Sequence, residues 1–354
     1  MKKVIILFGV LISLLRADNS YELGDGVQVA SLPFYLGGYI STEYRHTKVQ
    51  DRYKIGDIAL LGYGSSNNFS YLTEIEYKNL YTEKQENDTS LVNNDTNLYI
   101  ERLYVDYTFN ENYMARVGKY ISPIGFWNLL PINVLRDTTS DPISTNIIFP
   151  ESTTGLYASY TKFSQTEFKV DVMLQNNEDI DGKYNNYRTN RHYGLGISYA
   201  KSQYTFKLNV GYFNKLHSYI DDDGTENEYE EESDYDDEYI EKSNTVQDLY
   251  YILLSAKYEN EKYQFLSEIG HQESTNGLTT PYAAYVQGLY RMTPQHMAIL
   301  RLESYEDKVK NKQDNFAIFG YTYRPLYPIA FKAEYQFHKR PIDNKLQLSF
   351  SVLF

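Results

Sequence analysis

Along most of this chain, apolar and polar residues alternate with a period of two. In 167–176, Phe168, Val170, Val172 and Leu174 share one side, and Glu167, Lys169, Asp171 and Gln175 the other. In 204–214, Tyr204, Phe206, Leu208, Val210 and Tyr212 oppose Thr205, Lys207, Asn209 and Gly211. In 329–338, Phe331, Ala333, Tyr335 and Phe337 oppose Lys332, Glu334, Gln336 and His338. Such alternation is that of strands with one apolar face. It predicts sixteen strands, near 37–46, 53–64, 69–81, 97–109, 113–121, 155–162, 167–176, 192–200, 204–214, 247–258, 263–272, 281–292, 296–306, 315–324, 329–338 and 345–354. The tenth, eleventh and fourteenth alternate less cleanly. No 3.6-residue period holds for long.

The breaks between strands are sorted by length. Those at 65–68, 110–112, 163–166, 201–203, 259–262, 293–295 and 325–328 are tight. Those at 47–52, 82–96, 122–154, 177–191, 215–246, 273–280, 307–314 and 339–344 are mostly longer and more polar. Short turns on one side and long loops on the other are expected of an antiparallel transmembrane β-barrel. A soluble sandwich has no reason to sort its loops this way. Sixteen strands also exceed the size at which side chains fill the interior, so an aqueous lumen is expected inside a wall that is apolar outside. The final strand alternates Leu346, Leu348, Phe350, Val352 and Phe354 against Gln347, Ser349, Ser351 and Leu353. It resembles the closing strand of bacterial outer-membrane barrels.

Composition supports this reading. Of 354 residues, 38 are Tyr and 17 Phe, and mean hydropathy is −0.54. Tyr suits a membrane–water boundary, with its ring in the apolar layer and its hydroxyl in water. The chain has no Cys, which excludes a disulfide framework, thiolate metal sites and a Cys nucleophile. Residues 1–17 read as a secretory signal, with Lys2 and Lys3 before the apolar Val4-to-Leu15 stretch. The barrel domain is then 18–354, and bacterial outer membrane is the expected location.

The third long break, 122–154, holds Pro123, Gly125, the single Trp127, Pro131, Arg136, Asp137, Asp141, Pro142, Phe149, Pro150 and Glu151. An apolar, proline-stiffened loop of this length is expected to fold inward and narrow the lumen. Gly118-Lys119-Tyr120-Ile121-Ser122-Pro123-Ile124-Gly125, followed by Phe126-Trp127-Asn128, resembles the fifth-strand signature of the phosphate-selective porin (O and P type) family. Gly37-Gly38-Tyr39, Glu74-Ile75-Glu76 and Arg102-Leu103-Tyr104-Val105-Asp106-Tyr107 match in order. The resemblance covers architecture over most of the mature chain, but sequence only over about 97–128. It implies a sixteen-stranded homotrimeric porin with an inward third loop, set among outer-membrane lipids and lipopolysaccharide, passing small hydrophilic solutes and ions such as phosphate. The family's Arg ladder and Lys cluster cannot be matched residue by residue.

The predicted inward face carries Arg102, Arg116, Lys169, Lys207, Lys257, Arg291, Arg301 and Lys332 against Glu74, Glu76, Asp106, Asp171, Glu268, Glu303 and Glu334. Rings of one sign select ions, whereas mixed signs pair and shape the field. Arg102, Arg116 and Arg136 form the expected anion-contacting cluster, with Asp106, Asp137 and Asp141 as its counter-charges. The fifth long break, 215–246, holds thirteen carboxylates between Asp221 and Glu241. Cleaving the signal takes the chain from −13 to −16, of which −12 falls in 219–242. That run reads as a solvated loop. Its functional alternative is loose Ca²⁺ or Mg²⁺ binding through Asp221, Asp222, Asp223 and Glu226, with no other cofactor expected. A rival reading makes this loop an adhesive surface. An enzyme is not expected: no nucleophile or metal motif is present, the six His are scattered, and nothing points to nucleic acid.

Overall fold

The computed structural model describes residues 22–86, 89–93, 97–182, 185–216, 247–275, 281–308 and 312–354. Residues 1–17 and nearly all of 215–246, including Asp221, Asp222, Asp223 and Glu226, lie outside them.

Sixteen antiparallel strands close into one barrel. They are β1 (Phe34–Thr47), β2 (Asp51–Ser66), β3 (Phe69–Glu86), β4 (Asn97–Thr108), β5 (Tyr113–Ile121), β6 (Ser152–Phe163), β7 (Glu167–Gln175) and β8 (His192–Lys201). The second half comprises β9 (Tyr204–Lys215), β10 (Gln247–Glu259), β11 (Tyr263–Ser274), β12 (Tyr282–Arg291), β13 (His296–Asp307), β14 (Lys312–Tyr323), β15 (Ile329–Phe337) and β16 (Lys345–Leu353). Each pairs with its sequence neighbour, and β16 returns to β1 from Lys345↔Thr47 to Leu353↔Tyr39. Phe354 completes the closure: Gly38 N–H donates to its carbonyl at 2.8 Å, and its own N–H donates to Gly38 at 2.7 Å. Closure leaves no strand edge for lipid to desolvate.

The barrel is inside-out relative to a soluble protein. Phe168, Val172 and Leu174 are exposed on β7, and Phe331, Tyr335 and Phe337 on β15, while Asp171, Gln175, Lys332, Glu334 and Gln336 are buried. Paired aromatics such as Phe69–Tyr107 and Tyr113–Tyr160 ring the short-turn end. They place the rings where lipid meets water.

Two elements differ from expectation. The first long break is a three-residue turn, 48–50, and β3 continues to Glu86, where Thr89–Asn93 folds back on it. Tyr81, Glu83 and Gln85 gave no apolar face to read, because strand pairing above the lipid needs none. The inner face of β9–β14 is also partly apolar: Phe213, Leu249, Tyr251, Leu253, Tyr305, Phe316 and Ile318 are buried there. That explains the blurred alternation of β10 and β14, whose inner faces pack on protein rather than water.

Candidate functional site

The covering element is the segment between β5 and β6, residues 122–151, called loop 3 below. It contains short 3₁₀ turns at Trp127–Leu129 and Asn133–Leu135 and one helical turn, α1 (Ile143–Ile147). Two glycines set its path. Gly118 adopts φ +128, so both Lys119 and Tyr120 end up buried inside; a side chain there would meet Leu103 O at 2.1 Å. Gly125 adopts φ +64, and a Cβ would strike the Glu268 carboxylate at 2.7 Å. Ile124, Ile148 and Phe149 then pack on Tyr120, Phe213, Leu249, Tyr251 and Leu253 of the inner wall.

Three oppositely charged couples from the wall hold the backbone of this loop. Lys207 donates to the carbonyls of Pro123 and Gly125 at 2.8 and 3.1 Å, and Glu268 accepts the Phe126 N–H at 2.5 Å. Arg301 donates to Thr138 Oγ1, Ser140 O and Ser140 Oγ at 2.7–3.0 Å, while Glu303 accepts the Ile143 N–H at 2.8 Å. Arg301 Nε and Glu303 Oε1 lie 2.7 Å apart without hydrogen-bond alignment, so that contact is an ion pair. Lys332 donates to Asn133 and to Thr138 O, and Glu334 accepts the Thr139 and Ser140 N–H groups at 3.0 and 3.2 Å. Within each couple the cation reads carbonyls and the carboxylate reads amides, which satisfies a buried irregular backbone. These six charges of the predicted inward set therefore anchor the loop instead of facing solute.

Four of the pairs that loop 3 leaves uncovered run along β3–β7; elsewhere Lys257 and Arg291 each lie 2.7 Å from Glu259, and Arg45 lies 3.9 Å from Glu43, with the carboxylate the more exposed partner in each. On β3–β7, Lys78 lies 3.2 Å from Glu76, Arg102 contacts Glu74, Arg116 is bidentate to Asp106 at 2.6 and 2.9 Å, and Lys169 lies 3.0 Å from Asp171. Burial within these pairs is unequal. The Lys169 side chain is 30% exposed and that of Asp171 4%; Lys78 and Glu76 stand at 25% and 4%. Arg102 and Arg116 are likewise the more exposed partners. The Arg116 guanidinium lies 3.8 Å from the Tyr104 ring centre, and Lys169 Nζ donates to Tyr157 Oη at 3.0 Å.

Each predicted arginine is thus joined to a carboxylate: Arg102 to Glu74, Arg116 to Asp106, and Arg136 to Asp141 at 2.6 Å within loop 3. Asp141 also accepts from Trp127 Nε1 at 3.0 Å. Asp137 is surrounded by Arg324, Lys332 and Arg291, which favour its ionised form, although burial outweighs them and pushes its carboxyl above the usual range. Sequence reasoning placed Glu151 in loop 3 without giving it a role; it stands at the return of the loop to the wall. Burial lifts its carboxyl to about 8, Asp141 adds to the shift, and Arg136 opposes it. Among the described residues no group of three or more His, Asp or Glu is arranged to hold a metal.

No family model matches this chain, and no curated protein matches it. Solved structures are similar in fold. The outer membrane channel DcaP of Acinetobacter baumannii superposes with TM-score 0.54 at 12% identity, over 91% of this chain and 97% of that one. An anion-selective porin from Comamonas acidovorans gives 0.58 at 11% identity, over 91% and 99%. OprB of Pseudomonas putida gives 0.58 at 7% identity, over 91% and 93%. At these identities the likeness is one of architecture.

Proposed function

We propose that this chain is a passive diffusion channel of a bacterial outer membrane that favours small anions, phosphate among them. The observation that carries the preference is the unequal burial of the ion pairs on β3–β7. Formal charge there is balanced, yet a solute in the lumen meets the ammonium and guanidinium groups first. The carboxylates lie behind them, nearer the low-dielectric wall. Passive transport itself rests on the inside-out wall and on the solvated strip of β3–β7 that loop 3 leaves uncovered. Location rests on the closed barrel and its aromatic ring.

Oligomerisation as a trimer belongs to the same reading. It draws on β1, where no large apolar side chain is exposed to lipid and where Gly38, with Gly62 of β2, lies buried beneath the Phe354 and Phe34 rings.

The test is reversal potential across a planar bilayer under a KCl gradient. Anion preference and closure in three equal steps are expected; cation preference would overturn the charge argument, and absence of channels the whole reading. Glu151 gives this preference a pH dependence. Its carboxyl titrates near 8, so it becomes anionic between about pH 7 and 9, and anion preference is expected to fall over that interval. Glu151→Gln is expected to flatten the profile. The sign for stability follows from the same shift. A carboxyl raised from 4.5 to about 8 in the folded state contributes stability below 4.5 and loses it as pH rises through 8.

A further inference from the structure

The tip of loop 3 reaches the opposite end of the barrel from the loop's origin. Loop 3 leaves β5 at the long-loop end, whereas Arg324 sits in the turn joining β14 to β15, at the short-turn end that also holds both termini of the sheet. Arg324 Nη2 donates to the Arg136 carbonyl at 2.7 Å, and its Nη1 donates to the Val134 carbonyl. Thr322 Oγ1, two residues away, donates to the Asp137 carbonyl at 2.5 Å. The tip is also pressed home by packing: Val134 is fully buried against Tyr39, Ala59, Leu61 and Ala330, with Leu353 of the closing strand beside them. A constriction loop held only at mid-lumen would have no need of a cation in an end turn.

We propose that Arg324 is a clasp that holds the tip of loop 3 across the short-turn mouth and so sets a second, exit-side size limit on the path. The proposal rests on the channel reading above. Arg324 acts through the loop carbonyls it holds, so it is a positioning residue, and Lys332 supplies the neighbouring donor set on Asn133 and Thr138. The two carbonyls converge on the planar fork of one guanidinium. An ammonium can satisfy one of them well, so Arg324→Lys should keep the tip in place while Arg324→Gln frees it.

The experiment uses the full chain, with a heat-dependent gel shift to show that each variant is a folded barrel. Liposome swelling with sugars of increasing size reads the limit, and hydrogen exchange of the amides from Val134 to Thr138 reads the tip. Arg324→Gln is expected to lose the wild-type size limit and the protection of those amides, and Arg324→Lys to retain both. A folded Arg324→Gln with unchanged cutoff and unchanged exchange overturns the clasp. A wild-type protein that swells no liposome, yet whose Arg324→Gln variant loses amide protection, sinks the channel reading and keeps the clasp.

Discussion

Arg301→Met is expected to destabilise the folded barrel by about 3–5 kcal/mol, the range for removing one member of a buried ion pair. Arg301 is fully buried, and Glu303 beside it is almost so. The substitution removes three hydrogen bonds to Thr138 and Ser140 and strips Glu303 of its counter-charge. It also uncovers the Trp127 ring, whose centre lies 5.3 Å from the guanidinium. The measurement is the denaturant midpoint of the gel-shift transition in detergent, alongside single-channel noise, which should rise as residues 138–143 loosen. Arg301→Met with Glu303→Gln should recover part of the loss. The amide oxygen can still accept the Ile143 N–H, and no unpaired charge remains. A single variant as stable and as quiet as wild type would show that the couple contributes nothing to holding the loop.

The barrel was legible in the sequence because lipid imposes a strict rule on each strand by itself. Phe168, Val170, Val172 and Leu174 must all be apolar whatever the rest of the chain does, and four such residues alternating along a nine-residue strand declare its face. The sorting of breaks into short and long is equally local. The fate of the inward charges is not local. Lys169 and Asp171 have the same two-residue spacing as Arg301 and Glu303, or Lys332 and Glu334. One couple stays beside the lumen while the other two lie under loop 3. Only the path of a loop from a distant part of the chain separates them, so charges that counted as near-neutral pore lining divide into anchors and lining once that path is known. One signal was present. Leu249, Tyr251 and Leu253 on an inner face, like Phe316 and Ile318 on another, are wrong for a wall that faces water, and they mark where protein covers it. The cation–carboxylate couples on the neighbouring strands follow from that, since an irregular loop pressed on a wall brings carbonyls and amides that both need partners.

Neutralising the lumen-side cations of three pairs, as Lys78→Met, Arg116→Met and Lys169→Met together, is expected to convert the proposed anion preference to cation preference. In wild type these groups screen Glu76, Asp106 and Asp171 from the lumen, being the more exposed member of each pair. Their removal takes the strip from balanced to three negative charges with no change in its backbone. The sign change should be clear at 0.1 M salt, where the Debye length is about 10 Å, and weak at 1 M, where it is about 3 Å. Replacing both members of one pair, Lys169→Met with Asp171→Asn, separates charge from packing. It changes the same two positions yet leaves the formal balance untouched, so a wall that works through ordered pairs should lose only part of its anion preference. If the triple variant kept the wild-type reversal potential, the ions would be passing elsewhere in the barrel. The face of loop 3 that carries Arg136 and Asp137 would then be the surface they meet.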